Sequence, residues 1–369
     1  MAALFEPFNI NTMNLKNRFV RSATWEGLAT TTGECTPELE KMWADLAEGG
    51  VGLIVTGHAY IEKRGQASPW QLGIDRDRVI PGLQRAVHAI HELGGKIALQ
   101  LAHSGIMADP EQTGHPALAM SRHESITHDV QVMAPDDISE VVRAFAAAAV
   151  RAKRAGFDAV QIHGAHGYLL SQSLSPFYNR REDRFGGRIE NRAAFSVAVV
   201  EHIRMAVGPD YPLLIKMNTA DFLNGGMEVA DAAMVAQLLG ESGADAIELS
   251  GGTGASGRLN PVRNGIVKET DEAYFHEAAT AFRKAVELPL ILVGGIRSCH
   301  IAEGLIKDGN VDLIAMSRPF IREPDLVERW HSGNREKSRC ISDSRCFVPA
   351  RTGKGLYCVH EKRKAVNAL

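Results

Sequence analysis

The chain has 369 residues, 45% apolar and 23% charged, enough for one large domain with a substantial core and too apolar for extended disorder. Its 41 Lys and Arg against 44 Asp and Glu leave a formal charge of -3, so charge gives no reason to expect nucleic acid or an acidic membrane as partner. The N-terminus lacks a basic start followed by a long apolar run, and no apolar stretch approaches the ~18 residues of a membrane helix. Five cysteines, Cys35, Cys299, Cys340, Cys346 and Cys358, are too few and too uneven for a secreted disulfide scaffold. The expected setting is therefore soluble and cytoplasmic, with a small molecule as ligand.

In chain order, short β-rich runs bounded by Gly or polar residues predict strands at Phe19 to Ala23, Val51 to Thr56, Lys96 to Leu101, Ala159 to His163, Leu213 to Met217, Ala246 to Leu249, Leu290 to Val293 and Leu313 to Met316. Nearly every gap carries an amphipathic helical segment, such as Pro135 to Ala155 or Arg188 to Val207. Eight strand and helix units predict a parallel (β/α)8 barrel, a TIM barrel, over residues 1–331. An open doubly wound sheet also alternates in this way, but it places a Gly-rich phosphate loop after the first strand, and none stands there. Residues 107–132, with Pro, Gly and three His, read as a long loop on the rim. Residues 332–369 are charged, turn-rich and carry three cysteines, which predicts a C-terminal extension packed on the barrel.

Barrel chemistry sits at the C-terminal ends of strands, so the polar groups there are the candidates. His163, His166 and Tyr168 gather two imidazoles and a phenol at one strand end, where intervening Gly residues can turn them toward one pocket; taken alone, a His pair near a strand end is more often structural or metal-binding than catalytic. Lys216 closes an apolar strand and requires an anion or water, although an internal salt bridge would serve too. Gln100 offers donor and acceptor together, suited to the edge of a heterocycle or to loop backbone. Gly294, Gly295, Ser317 and Arg318 can cradle a phosphate, or merely end two strands. Few carboxylates stand at the strand ends to complete a metal site, and none is assigned.

Taken together, these residues resemble the old yellow enzyme family of FMN-dependent ene reductases. The resemblance spans roughly residues 4–330, through Leu4-Phe5-x-Pro7, Leu15-x-Asn17-Arg18, Gln100-Leu101-x-His103-x-Gly105, His163-x-x-His166-Gly167-Tyr168-Leu169, Leu174-Ser175-Pro176, Asn179-x-Arg181, Asp183-Arg184-Phe185-Gly186-Gly187, Ile215-Lys216, Val293-Gly294-Gly295 and Ser317-Arg318-Pro319. It implies FMN as cofactor and NADH or NADPH as electron donor. By the family's logic, Gly294, Gly295, Ser317 and Arg318 hold the FMN phosphate, Gln100 binds the pyrimidine edge and Lys216 lies by N1. Ala23, Thr24 and Gly57 contact the ring system through backbone, and Trp25 stands where many relatives carry a flavin-tuning Thr or Cys.

The implied reaction reduces the C=C bond of an α,β-unsaturated carbonyl compound. His163 and His166 hold the carbonyl oxygen and Tyr168 protonates the α-carbon. Two alternatives stay open: oxidation of a cyclic or amine substrate by the same flavin, and a non-catalytic flavin-binding sensor. Cys340, Cys346 and Cys358 match part of the four-cysteine iron-sulfur motif of larger relatives such as dienoyl-CoA reductase, but Asp343 replaces one ligand; a vestige is expected. The partner expected is an electron-poor alkene, and the oligomeric state is left open, a homo-oligomer included.

Overall fold

The computed structural model describes residues 3–124 and 126–367. The chain opens with an antiparallel hairpin, β1 (Phe8–Ile10) and β2 (Met13–Leu15), turned at Asn11, which adopts φ 50°. Then come β3 (Phe19–Arg21), β4 (Leu53–Tyr60), β5 (Ile97–Ala102), the short β6 (Ala117–Ala119) and β7 (Val130–Val132), β8 (Ala159–Gly164), β9 (Leu213–Asn218), β10 (Ala246–Ser250), β11 (Leu290–Leu292) and β12 (Leu313–Met316). Setting aside β6 and β7, which pair only with each other, β3 to β12 form a closed parallel barrel in which β12 returns to pair with β3.

All eight barrel strands fall on the runs expected from sequence. The helices between them follow the same apolar logic. Helix Pro135–Arg154 starts on Pro with Asp136 and Asp137 in its first turn and ends with Arg151, Lys153 and Arg154, which complements the helix dipole. It buries Ile138, Val141, Val142, Phe145, Ala148, Ala149 and Ala152, one face at helical spacing, against the barrel wall.

Two features depart from the expectation. The initial hairpin closes the bottom of the lumen, where Ile10, Met13 and Leu15 pack on Val20, Leu53, Val55, Leu214, Ile291 and Leu313. Residues 107–132 are not bare loop, since β6 and β7 form a small parallel sheet there. Three-residue strands are too short to impose a period on a sequence.

Beyond the barrel, Cys346, Ala350 and Leu356 cluster with Trp25, Met42, Ile321 and Phe347, and the Leu356 N–H donates to the Glu26 carbonyl at 2.8 Å. The tail therefore lies on the rim at the strands' C-terminal ends. No described helix is long and apolar enough to cross a membrane.

Candidate active site

A cavity of about 810 Å³ opens at the C-terminal ends of the strands. Nine of the sequence-derived residues line it: Ala23, Thr24, Trp25, Gln100, His163, His166, Tyr168, Lys216 and Ser317. Four others do not: Gly57, Gly294, Gly295 and Arg318 stand outside its lining.

Gly57 bulges from β4 and gives its N–H to Glu26 Oε1 at 2.8 Å; a Cβ there would come within 1.9 Å of Glu26 Oε2, so only Gly fits. Glu26 also pairs with Arg21 at 3.0 Å and accepts from Trp43 Nε1 at 3.2 Å, a buried clamp behind the first strand end. Gly294 and Gly295 pass beneath the Tyr274 ring, and a Cβ on Gly295, whose φ is 74°, would lie 2.9 Å from Tyr274 Cε1. Arg318 faces the tail, donating to the Arg263 carbonyl at 2.8 Å and to Ser344 Oγ at 3.0 Å.

All three chemical side chains expected at the end of β8 occupy unusual backbone or electrostatic settings. His166 adopts φ 66° and is held there by its N–H bond to Asn218 Oδ1 at 3.0 Å and by a 2.7 Å contact of Nε2 with Ser250 Oγ. Burial, then the neighbouring His166 imidazole, holds His163 well below the usual imidazole range. Burial, then the Lys216 ammonium, does the same for His166. Both rings are therefore neutral near neutral pH, each with one N–H donor and one acceptor nitrogen. Burial raises the Tyr168 phenol, so it keeps its proton.

Sequence reasoning gave His58 no role, yet it completes this group. It lies on β4 with Nε2 at 3.2 Å from the Tyr168 hydroxyl, and burial lowers its pKa to about 4. The signal was its place beside Gly57 at a strand end. The cavity's outer wall also takes in Asn260, Pro261, Val262 and Asn264 from the loop after β10, and the part that sequence reasoning missed is Tyr274 with Asp343, Ser344, Phe347 and Arg351 from the tail. No local pattern announces that tail contribution.

Among the described residues, no group of three or more His, Cys, Asp or Glu is placed to hold a metal ion. Asp343 instead meets His360 at 2.8 Å.

A planar, hydrogen-bonding cofactor suits these walls. Trp25 Nε1, His58 Nδ1 and His163 Nδ1 are buried without protein partners in residues that line the cavity, beside the buried Lys216 and Gln100. An unpaired polar atom in such a place is costly unless a ligand meets it.

A family described as NADH:flavin oxidoreductase / NADH oxidase matches residues 3–337. The chain belongs to that family. Old yellow enzymes, to which the motifs pointed, are part of it, and membership brings FMN as cofactor. A metal reductase of Desulforamulus reducens is 37% identical over 92% of this chain and 50% of that protein. An NADPH dehydrogenase of Halalkalibacterium halodurans is 34% identical over 87% of this chain and 91% of that protein. Among solved structures, 2-naphthoyl-CoA reductase in complex with 2-naphthoyl-CoA superposes with a TM-score of 0.88 at 25% identity, over 96% of this chain and 56% of that one. The chain thus spans about half the length of some relatives and nearly all of others.

Proposed function

We propose that this chain catalyses NADH- or NADPH-dependent reduction of the C=C bond in α,β-unsaturated carbonyl compounds. The observation that carries this reading is the convergence of neutral His163 and His166 with protonated Tyr168 on one wall of a cavity whose floor presents Lys216 and Gln100. When bound and reduced, FMN supplies the hydride for the alkene's β-carbon.

The chain's own residues do the rest. Gln100 and Lys216 hold the ring's polar edge, while Ala23, Thr24, Trp25 and the backbone beside Gly57 shape its pocket. Gly294, Gly295, Ser317 and Arg318 hold the phosphate; for this, the Tyr274 ring moves off the two glycines, and Arg318 exchanges the Arg263 carbonyl and the Ser344 hydroxyl for phosphate oxygens. His163 and His166 donate to the substrate carbonyl and stabilise the charge that develops on its oxygen. Tyr168 gives its proton to the α-carbon. Its burial makes the phenol a weaker acid than usual, but an enolate-like carbon is a strong enough base to take the proton. Phe347 and Trp25 bring apolar surface to the cavity and help exclude water from the transfer.

Five unpaired cysteines suit a reducing compartment, and we assign the chain to the cytoplasm. Steady-state oxidation of NADH or NADPH by FMN-loaded protein with cyclohexenone tests the reading. Turnover that depends on the enone supports it. Flavin reduction without enone-dependent turnover rejects it in favour of an oxidising role or a sensor.

A further inference from the structure

The cavity floor rests on a buried carboxylate that the proposed chemistry leaves unused. Glu248 lies inside β10 and is 0% exposed. Its Oε1 accepts from Lys216 Nζ at 2.9 Å and from Ser22 Oγ at 2.5 Å, and its Oε2 accepts from Gln161 Nε2 at 2.8 Å. Gln161 in turn accepts from Gln100 Nε2 at 2.8 Å. Lys216, Ser22 and Gln100 line the cavity, whereas Glu248 and Gln161 lie behind them. One carboxylate therefore anchors both side chains that face the polar edge of a ring.

Barrel stability does not account for this layer. Further down the lumen the side chains are apolar, among them Val20, Leu53, Val55, Ala98, Leu214, Ile291 and Leu313. A buried ion pair contributes little beyond what well-packed apolar residues would. The polar chain is confined to the layer that meets the cavity, which places its purpose there. Electrostatics gives that purpose content. A lone ammonium beside a flavin favours the anionic reduced form, but a carboxylate 2.9 Å from that ammonium offsets much of its field.

We propose that Glu248 is a positioning residue for the cofactor: it fixes Lys216 and, through Gln161, Gln100, and it compensates the Lys216 charge so that the flavin stays a stronger reductant. This rests on the FMN reading above. The midpoint potential of FMN-loaded Glu248→Gln, measured by equilibration with reference dyes, tests it. The variant keeps the side chain's shape and removes its charge. A potential more positive by ~30 mV or more, a tenfold rise in the two-electron reduction equilibrium constant, is expected. The double change Lys216→Gln with Glu248→Gln should return that constant toward wild type, because both charges are gone.

A potential within twofold of wild type in the equilibrium constant for FMN-loaded Glu248→Gln overturns the proposal. Should that variant fail to fold, Gln161→Met keeps the question open to measurement. It severs Gln100 from the carboxylate without changing charge, so FMN affinity should fall several-fold with little change in potential. Unchanged affinity overturns the positioning role. Wild-type protein that takes up no FMN would instead sink the flavin reading itself.

Discussion

The Tyr168 hydroxyl lies 3.2 Å from His58 Nε2, and its ring stacks edge-on against His163 at 4.8 Å, so the proposed proton donor is held by two imidazoles that burial keeps neutral. Tyr168→Phe removes the proton but not the packing. Stopped-flow measurement should find flavin reduction by nicotinamide nearly unchanged, with reoxidation by an enone slowed about 100-fold or more. Unchanged reoxidation would remove Tyr168 from the reaction. The histidines also predict acid sensitivity. Their folded pKa values lie below the unfolded ~6.5, so the stability they contribute is complete above that value and is lost as pH falls, through about 4 for His58. Each such group costs up to about 1.4 kcal/mol per pH unit across its window. His58→Gln keeps a polar partner for Tyr168 but does not titrate. Its melting temperature should therefore fall less than that of wild type between about pH 7 and about pH 5.

At the scale of elements, the sequence made the barrel legible because each strand is a short apolar run ended by Gly or a polar group, and each helix has a full apolar face. The hairpin β1–β2 was not legible, since two strands of three residues carry no readable period; only the buried lumen beneath them explains Ile10, Met13 and Leu15. Leu15→Ala should leave a cavity under the barrel and lower stability by about 2–5 kcal/mol, read from the urea midpoint. A loss below about 0.5 kcal/mol would show that the hairpin is not part of the packed core. Within the barrel, Lys216 was legible as a charge ending an apolar strand, whereas its partner Glu248 is hidden inside Ala246–Ser250 and becomes meaningful only when β9 and β10 lie side by side in register, Lys216 opposite Glu248. Gly57→Ala is expected to push Glu26 away from Arg21 and Trp43, costing about 1–3 kcal/mol by the same urea assay.

Across the whole molecule, the cavity is made jointly by the barrel rim, the loop after β10 and the tail. Motifs in order along the chain revealed the rim residues. The wall formed by Tyr274, Phe347 and Arg351 depends on how distant segments pack, which no single stretch of sequence records. That packing also explains why four motif residues, Gly57, Gly294, Gly295 and Arg318, stand outside the cavity lining although they flank it in sequence: Glu26, Tyr274, Arg263 and Ser344 engage them. In the proposed reaction this composite cavity binds FMN and passes electrons from a nicotinamide to an electron-poor alkene. The visible absorption spectrum of the purified protein, supplemented with FMN and followed anaerobically through addition of NADH or NADPH and then cyclohexenone, tests it most directly. Flavin bands should stay with the protein, bleach with the nicotinamide and return with the enone. A protein that retains no flavin, or whose bleached flavin is not reoxidised by the enone, would contradict the proposed reaction.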